Sequence, residues 1–143
     1  MRVAKVGGSM LRGAADYERC ARLVADLGAR VVVVSAMRGV TDALLSAAAR
    51  GDEGAARGLL LSLSEAAREL GAEGVPELVE RGWRAFRAYF SHPSPWLLDE
   101  ILALGERFSA ITMAAALRGL GLRAVPLDGG EAGVITDDGF GSA

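Results

Sequence analysis

The sequence predicts an α/β fold with a mainly parallel sheet, on three observations. A β-prone run, Val3–Val6, halts at Gly7–Gly8 and is followed by helical spacing from Asp16 to Leu27. A second run, Val31–Val34, is β-branched throughout, and helical patterns fill most of the remaining chain. Strand, helix and strand in that order form a βαβ unit with parallel strands. An unbroken valine run is typical of a strand covered on both faces, so a three-layer α/β/α sandwich is expected.

Each element has a local reason. Tyr17, Cys20, Ala21, Val24 and Leu27 recur at helical spacing, and Gly28 ends that helix. After the loop Ser35–Gly39, Thr41 can cap a helix reaching about Arg50. A helical segment spans about 52–91, with breaks expected at Gly71, Gly74 and Pro76. Ser94–Pro95 opens one long helix to about Leu120, placing a hydroxyl at the cap and proline in the first turn. Leu122–Leu127 reads as a third strand and Gly133–Thr136 as a short fourth. The last residues, Gly139–Ala143, bring no closing helix, so the expected sandwich is truncated.

Composition narrows the function. The chain has 143 residues, one domain's worth, and 51% of them are hydrophobic, which supplies a core and argues against disorder. Sixteen basic against eighteen acidic residues give a net charge of −2 with no basic block, so nucleic acid is not expected as a partner. No apolar stretch approaches the ~20 residues that span a bilayer, and no membrane partner is expected. The single cysteine, Cys20, reads as a small buried hydrophobe, and the expected location is the cytoplasm. Fifteen of the basic residues are arginines; the only lysine is Lys5. Either the genome favours arginine, or Lys5 does what a planar guanidinium cannot.

Three places could carry chemistry. Lys5 stands at the end of the first strand, and Gly7, Gly8 and Ser9 follow as a turn whose N–H groups and hydroxyl can hold an anion; a plain tight turn is the alternative. Ser35 and Thr41 flank the loop after the second strand, at the carboxyl edge where open α/β sheets place ligands, although Thr41 could serve only as a cap. In the long helix, Leu97, Ile101, Leu104, Phe108, Ile111 and Ala115 form an apolar stripe, and Leu98, Leu102, Gly105, Met113 and Ala116 extend it. Glu106 lies in that helix with no cation three or four residues away. Such a helix is buried on more than one side, so Glu106 is expected to be buried and to need a partner from elsewhere, either a ligand's ammonium or one of the arginines. His92 lies in a proline-broken loop, and Trp83, Phe86, Tyr89 and Phe90 read as packing.

The segments Lys5–Val6–Gly7–Gly8–Ser9, Val34–Ser35–Ala36–Met37–Arg38–Gly39–Val40–Thr41–Asp42 and Leu104–Gly105–Glu106–Arg107–Phe108–Ser109–Ala110 occur in one order. In that order the chain resembles the amino-terminal half of aspartate kinases, in the amino acid kinase family. Val125–Asp128, Gly133–Asp137, Phe140 and Ala143 continue the likeness. The resemblance implies that residues 1–143 form the amino-acid-binding half of an amino acid kinase-like fold. It implies transfer of the γ-phosphoryl group of ATP to the side-chain carboxylate of L-aspartate. Lys5 would stabilise the transferring phosphoryl group, and Gly7, Gly8 and Ser9 would hold phosphate oxygens. Ser35 and Thr41 would line the aspartate pocket, and Glu106 would pair with the substrate ammonium. Mg2+ would accompany the nucleotide, although this half offers no evident ligand for it.

The family's usual Lys–Phe–Gly–Gly–Thr–Ser is altered here: Val6, Ser9 and Met10 replace the phenylalanine, threonine and final serine. The resemblance also places the adenine pocket and a substrate-binding arginine in a carboxyl-terminal half that this sequence does not include. A separate chain carrying that half, or a homo-oligomer, is therefore an expected partner, and little activity is expected of this chain alone. The alternative is a non-catalytic amino-acid-binding or interaction module that retains the pocket.

Overall fold

A computed structural model describes residues 1–137, 139 and 140; Gly141–Ala143, the end of the tail likeness, lies outside the described residues. Strands β1 (Val3–Val6) and β2 (Val31–Val34) pair in parallel, with Val3 opposite Val31 and Val6 opposite Val34. Helix α1 (Ala14–Asp26) connects them, completing the βαβ unit. Five helices follow: α2 (Val40–Arg50), α3 (Glu53–Glu69), α4 (Val75–Ser91), α5 (Pro95–Leu102) and α6 (Leu104–Gly119).

Two apolar clusters hold these elements together, and α6 belongs to both. Under the sheet, Val6, Leu11, Tyr17, Cys20 and Val24 pack with Met113 and Ala116 of α6. Among the helices, Leu44, Leu60, Phe86 and Ile101 pack with Leu104 and Phe108, from the first half of α6. The aromatic residues of α4 are packing residues, as their spacing suggests: Phe86 and Phe90 are 5.7 Å apart, and the Arg57 guanidinium lies 4.0 Å from the Trp83 ring centroid. Cys20 is buried and His92 exposed.

Several expectations need correction. Only one sheet face is covered: Val6 is buried, whereas Val3, Val31 and Val33 are 58%, 41% and 48% exposed. The valine run therefore alternates in burial instead of being enclosed, as the expected truncation of the sandwich leaves it. Leu122–Leu127 and Gly133–Thr136 form no strand, because neither is hydrogen-bonded to the two-stranded sheet. The first is tied back to α6 by Leu122 N–H donating to the Leu117 carbonyl and Arg118 Nε donating to that of Ala124. In the second, Val134 N–H closes a turn on the Gly129 carbonyl.

Helix α2 starts before Thr41. Gly39 adopts a left-handed φ of 79° and is the N-cap, so Thr41 is the second helical residue and its capping role does not hold. Pro76 does not break the segment after Gly74 but sits within the first turn of α4, where its missing N–H is no loss. The long helix divides at Ala103, whose ψ opens to −13°, although no proline or glycine stands there. Ser94 is the N-cap of α5 without a side-chain capping bond.

Inside the lower cluster the Tyr17 hydroxyl and Ser109 Oγ share a 2.7 Å hydrogen bond joining α1 to α6, and burial pushes the tyrosine pKa up to about 12. Tyr17→Phe should cost about 1–3 kcal/mol, because the Ser109 hydroxyl loses its buried partner. The neutral phenol is the form the fold favours, so its contribution is complete below the unfolded pKa near 10 and is lost as pH rises toward 12. Denaturant unfolding at pH 9 and pH 11 should show wild type losing more stability than Tyr17→Phe over that interval; parallel losses would contradict the assignment.

Candidate functional site

Because β1 and β2 are parallel and in register, their carboxyl ends share one edge of the sheet. The chain leaves β1 through Gly7 into a 3-10 turn at Gly8–Met10, and leaves β2 through Ser35 and Ala36. Ser35 N–H donates to the Val6 carbonyl at 3.2 Å and Arg38 N–H to the Leu11 carbonyl at 3.1 Å, fastening one exit segment to the other. The first turns of α2 and α6 close on the same place.

Ala36 is the meeting point. A Cβ on Gly8 would overlap the Ala36 carbonyl oxygen, so the first motif lies directly on the backbone of the second. A Cβ on Gly105 would fall 2.6 Å from the Ala36 Cβ and 3.0 Å from Val40 Cγ1. Gly105 thereby brings the start of α6 against the start of α2. The remaining polar group of Ala36, its N–H, donates to Glu106 Oε1 at 3.4 Å. Each of the three motifs thus touches one residue that sequence reasoning passed over; its only signal was a glycine in each of the two flanking motifs.

The candidate residues stand one position away from these contacts. Lys5 lies on the exposed sheet face opposite Val33 and makes no ion pair among the described residues. Gly7, with ordinary extended backbone (φ −77°), leads into the turn, and Ser9 is exposed within it. Ser35 is half-buried at the end of β2, and Thr41 is exposed in the first turn of α2. The hydroxyls of Ser9, Ser35 and Thr41 make no hydrogen bond among the described residues, and are therefore available to a ligand. No direct hydrogen bond joins Lys5, Thr41 and Glu106; they share the rim through their backbones.

Glu106 departs from the sequence expectation in its burial. It is exposed, on the side of α6 away from Leu104 and Phe108, so no desolvation demands a partner. Among the described residues no arginine or lysine pairs with it, which removes the structural salt bridge as its explanation. The adjacent Arg107 is the residue engaged in ion pairs: Nη1 lies 2.9 Å from Glu100 Oε1, and Nε 3.5 Å from Asp128 Oδ2. Glu100 also takes Arg81 at 2.7 Å. The Glu131 backbone N–H donated to Asp128, with Arg107 nearby, holds that carboxyl below its ordinary range.

Chemically the rim offers hydroxyl and backbone donors beside glycine, one compact cation, and one carboxylate without a cation. That combination suits an anion at the first turn and an ammonium at α6. Among the described residues no three His, Cys, Asp or Glu side chains gather in a way that could hold a metal ion by themselves.

A model of the amino acid kinase family matches residues 1–141. A solved structure of E. coli aspartokinase III in complex with aspartate and ADP (R-state) superposes with a TM-score of 0.74 at 26% identity, covering 86% of this chain and 30% of that one. Another, of E. coli aspartokinase III in complex with lysine and aspartate (T-state), gives 0.70 at 24% identity over 85% of this chain and 29% of the other. The present chain thus spans less than a third of the length of these neighbours.

The packing separates the two glycines of the first turn by role. Gly8→Ala and Gly105→Ala should each destabilise the fold by about 1–3 kcal/mol, since backbone or a short side chain must move. Gly7→Ala should cost about 1 kcal/mol or less, because its nearest neighbour, Ser9 Oγ, is 4.0 Å from the added carbon and its φ is ordinary. Chemical denaturation of the three variants checks this, and equal effects at Gly7 and Gly8 would contradict it.

Proposed function

The chain belongs to the amino acid kinase family, and from that premise we propose that it supplies the amino-acid side of an aspartate kinase active site. The reaction is transfer of the γ-phosphoryl group of ATP to the side-chain carboxylate of L-aspartate. The observation that carries this reading is Glu106: an exposed carboxylate without a cation, held on the Ala36 N–H between the hydroxyl-bearing loop and the glycine turn. An α-ammonium is the partner it lacks. The aspartokinase III neighbour at 26% identity, solved with aspartate and ADP, supports the choice of amino acid and nucleotide.

In this reading Glu106 takes the substrate ammonium, and the hydroxyls of Ser35 and Thr41 orient the amino acid. Gly7, Gly8 and Ser9 donate N–H and hydroxyl groups to phosphate oxygens. A carboxylate oxygen of aspartate forms a bond to the γ-phosphorus as the bond to the β–γ bridging oxygen breaks, and ADP leaves. Lys5 neutralises negative charge spread over the transferring group, the larger part of catalysis in a reaction with a loose transition state. A point charge on a flexible stem follows the phosphoryl group from donor to acceptor better than a planar fork, which answers why one lysine stands among fifteen arginines. Mg2+ would accompany the nucleotide, held largely by the substrate phosphates.

The nucleotide side of the reaction lies in a portion of the kinase domain outside this chain. Alone, the chain should show little ATP-dependent aspartyl phosphate formation, trapped as the hydroxamate, and activity should appear when the complementary portion of an aspartate kinase is added. Robust turnover by the isolated chain would contradict this division. Tight aspartate binding that stays silent in every reconstitution would favour the non-catalytic amino-acid-binding module.

Two variants test the assigned roles in a reconstituted enzyme. Lys5→Ala should lower kcat by about 10²-fold or more while the KM for aspartate changes little. Glu106→Gln keeps an acceptor for the Ala36 N–H and removes only the charge, so aspartate affinity measured by calorimetry should fall at least tenfold with Tm unchanged. Intact affinity with a lowered Tm would reassign Glu106 to structure.

A further inference from the structure

A groove of about 360 Å3 lies behind the turn formed by Met37, Arg38 and Gly39, between the start of α1 and the flank of α3. None of the candidate site residues lines it, although it shares the loop Met37–Gly39 and the start of α2 with the rim described above. Its volume is at the small end of the range that ligand pockets occupy, roughly 300–1,000 Å3. Apolar residues, among them Met37 and Leu63, contribute to its lining.

The charges around the groove are divided by sign. Arg12 and Arg38 belong to the wall formed by the two exit loops; Glu65 and Glu69 belong to α3. Both arginine backbones are fixed, Arg12 N–H donating to Asp16 Oδ2 and Arg38 N–H to the Leu11 carbonyl. Asp16 is already engaged by Arg19 at 2.9 Å. None of the four charged side chains of the groove forms an ion pair among the described residues, whereas Arg81, Arg107 and Arg118 all do. A concave surface with an apolar lining, guanidinium groups on one side and carboxylates on the other is complementary to a molecule with the opposite arrangement. Arginine favours a planar, bidentate carboxylate.

We propose that this groove is a second small-molecule site, binding a short dipolar compound whose carboxylate and ammonium are separated by an apolar body, the chemistry of an ω-amino acid or a small peptide. The carboxylate lies at Arg12 and Arg38, the ammonium at Glu65 and Glu69, and the apolar body against Met37 and Leu63. The proposal does not rest on the kinase reading, because its groups are different and its test needs no turnover.

The test is titration of the isotope-labelled full chain with 6-aminohexanoate, followed by amide chemical shifts, against hexanoate and hexylamine at matched ionic strength. Saturable shifts centred on Met37–Val40 and Leu63–Ala66 are expected, with each single-charge analogue at least tenfold weaker. Arg38→Ala and Glu65→Ala should each weaken 6-aminohexanoate at least tenfold with the rest of the spectrum preserved. If either variant loses its dispersed spectrum, Arg38→Gln or Glu65→Gln takes its place. Absence of saturable shifts at these amides, less than tenfold discrimination against the single-charge analogues, or full affinity in the variants would overturn the proposal.

Discussion

The whole rim depends on how closely three backbone segments approach Ala36. Its carbonyl occupies the space where Gly8 has no side chain, its methyl the space left by Gly105, and its N–H meets the Glu106 carboxylate. Close packing tolerates little adjustment at such a point, because a single added carbon displaces backbone. The consequence is functional. Groups far apart in sequence, from the first strand's exit to the start of α6, are placed by van der Waals contact, and the polar side chains beside them stay uncommitted. A ligand there would meet hydroxyls without internal bonds and a carboxylate held only by the Ala36 N–H.

Helix α6 transmits that arrangement to the rest of the molecule. Its first half packs among the helices and its second half under the sheet, so both apolar clusters fix its position. Tyr17 and Ser109 add a directional bond to α1. Neighbouring residues on this helix divide the electrostatic work: Arg107 takes the carboxylates of Glu100 and Asp128, and Glu106 faces outward with no cation paired to it among the described residues. Had Glu106 been drawn into that network, its charge would have been neutralised internally and unavailable to an ammonium. The direction of a side chain around the helix, one residue's rotation of about 100°, makes the difference.

The parts of the fold that were legible in the sequence are those set by local chemistry. Val3–Val6, the glycines after it, and Val31–Val34 declare two strands and their turns, and the parallel pairing follows from the intervening helix. The misreadings have tertiary causes. Leu122–Leu127 has strand composition, yet a strand exists only where another strand accepts its hydrogen bonds, and the chain is tied to α6 instead. Thr41 looked like a cap because capping residues are common there; the left-handed Gly39 starts α2 earlier. The order of the three motifs made the candidate site legible, whereas the role of Ala36 was not, since alanine carries no chemical signature and its importance lies in what its neighbours lack. Glu106 was expected to be buried because its helix is apolar on two faces, and it occupies the third.

The exposed position of Lys5 on the uncovered sheet face has a practical corollary. Among fifteen arginines it is the chain's single ε-amino group. Lysine-selective reagents therefore have one address in this chain. That address is the candidate site's own cation, so a fluorophore, spin label or crosslinker attached there would look directly onto the rim without any engineered cysteine.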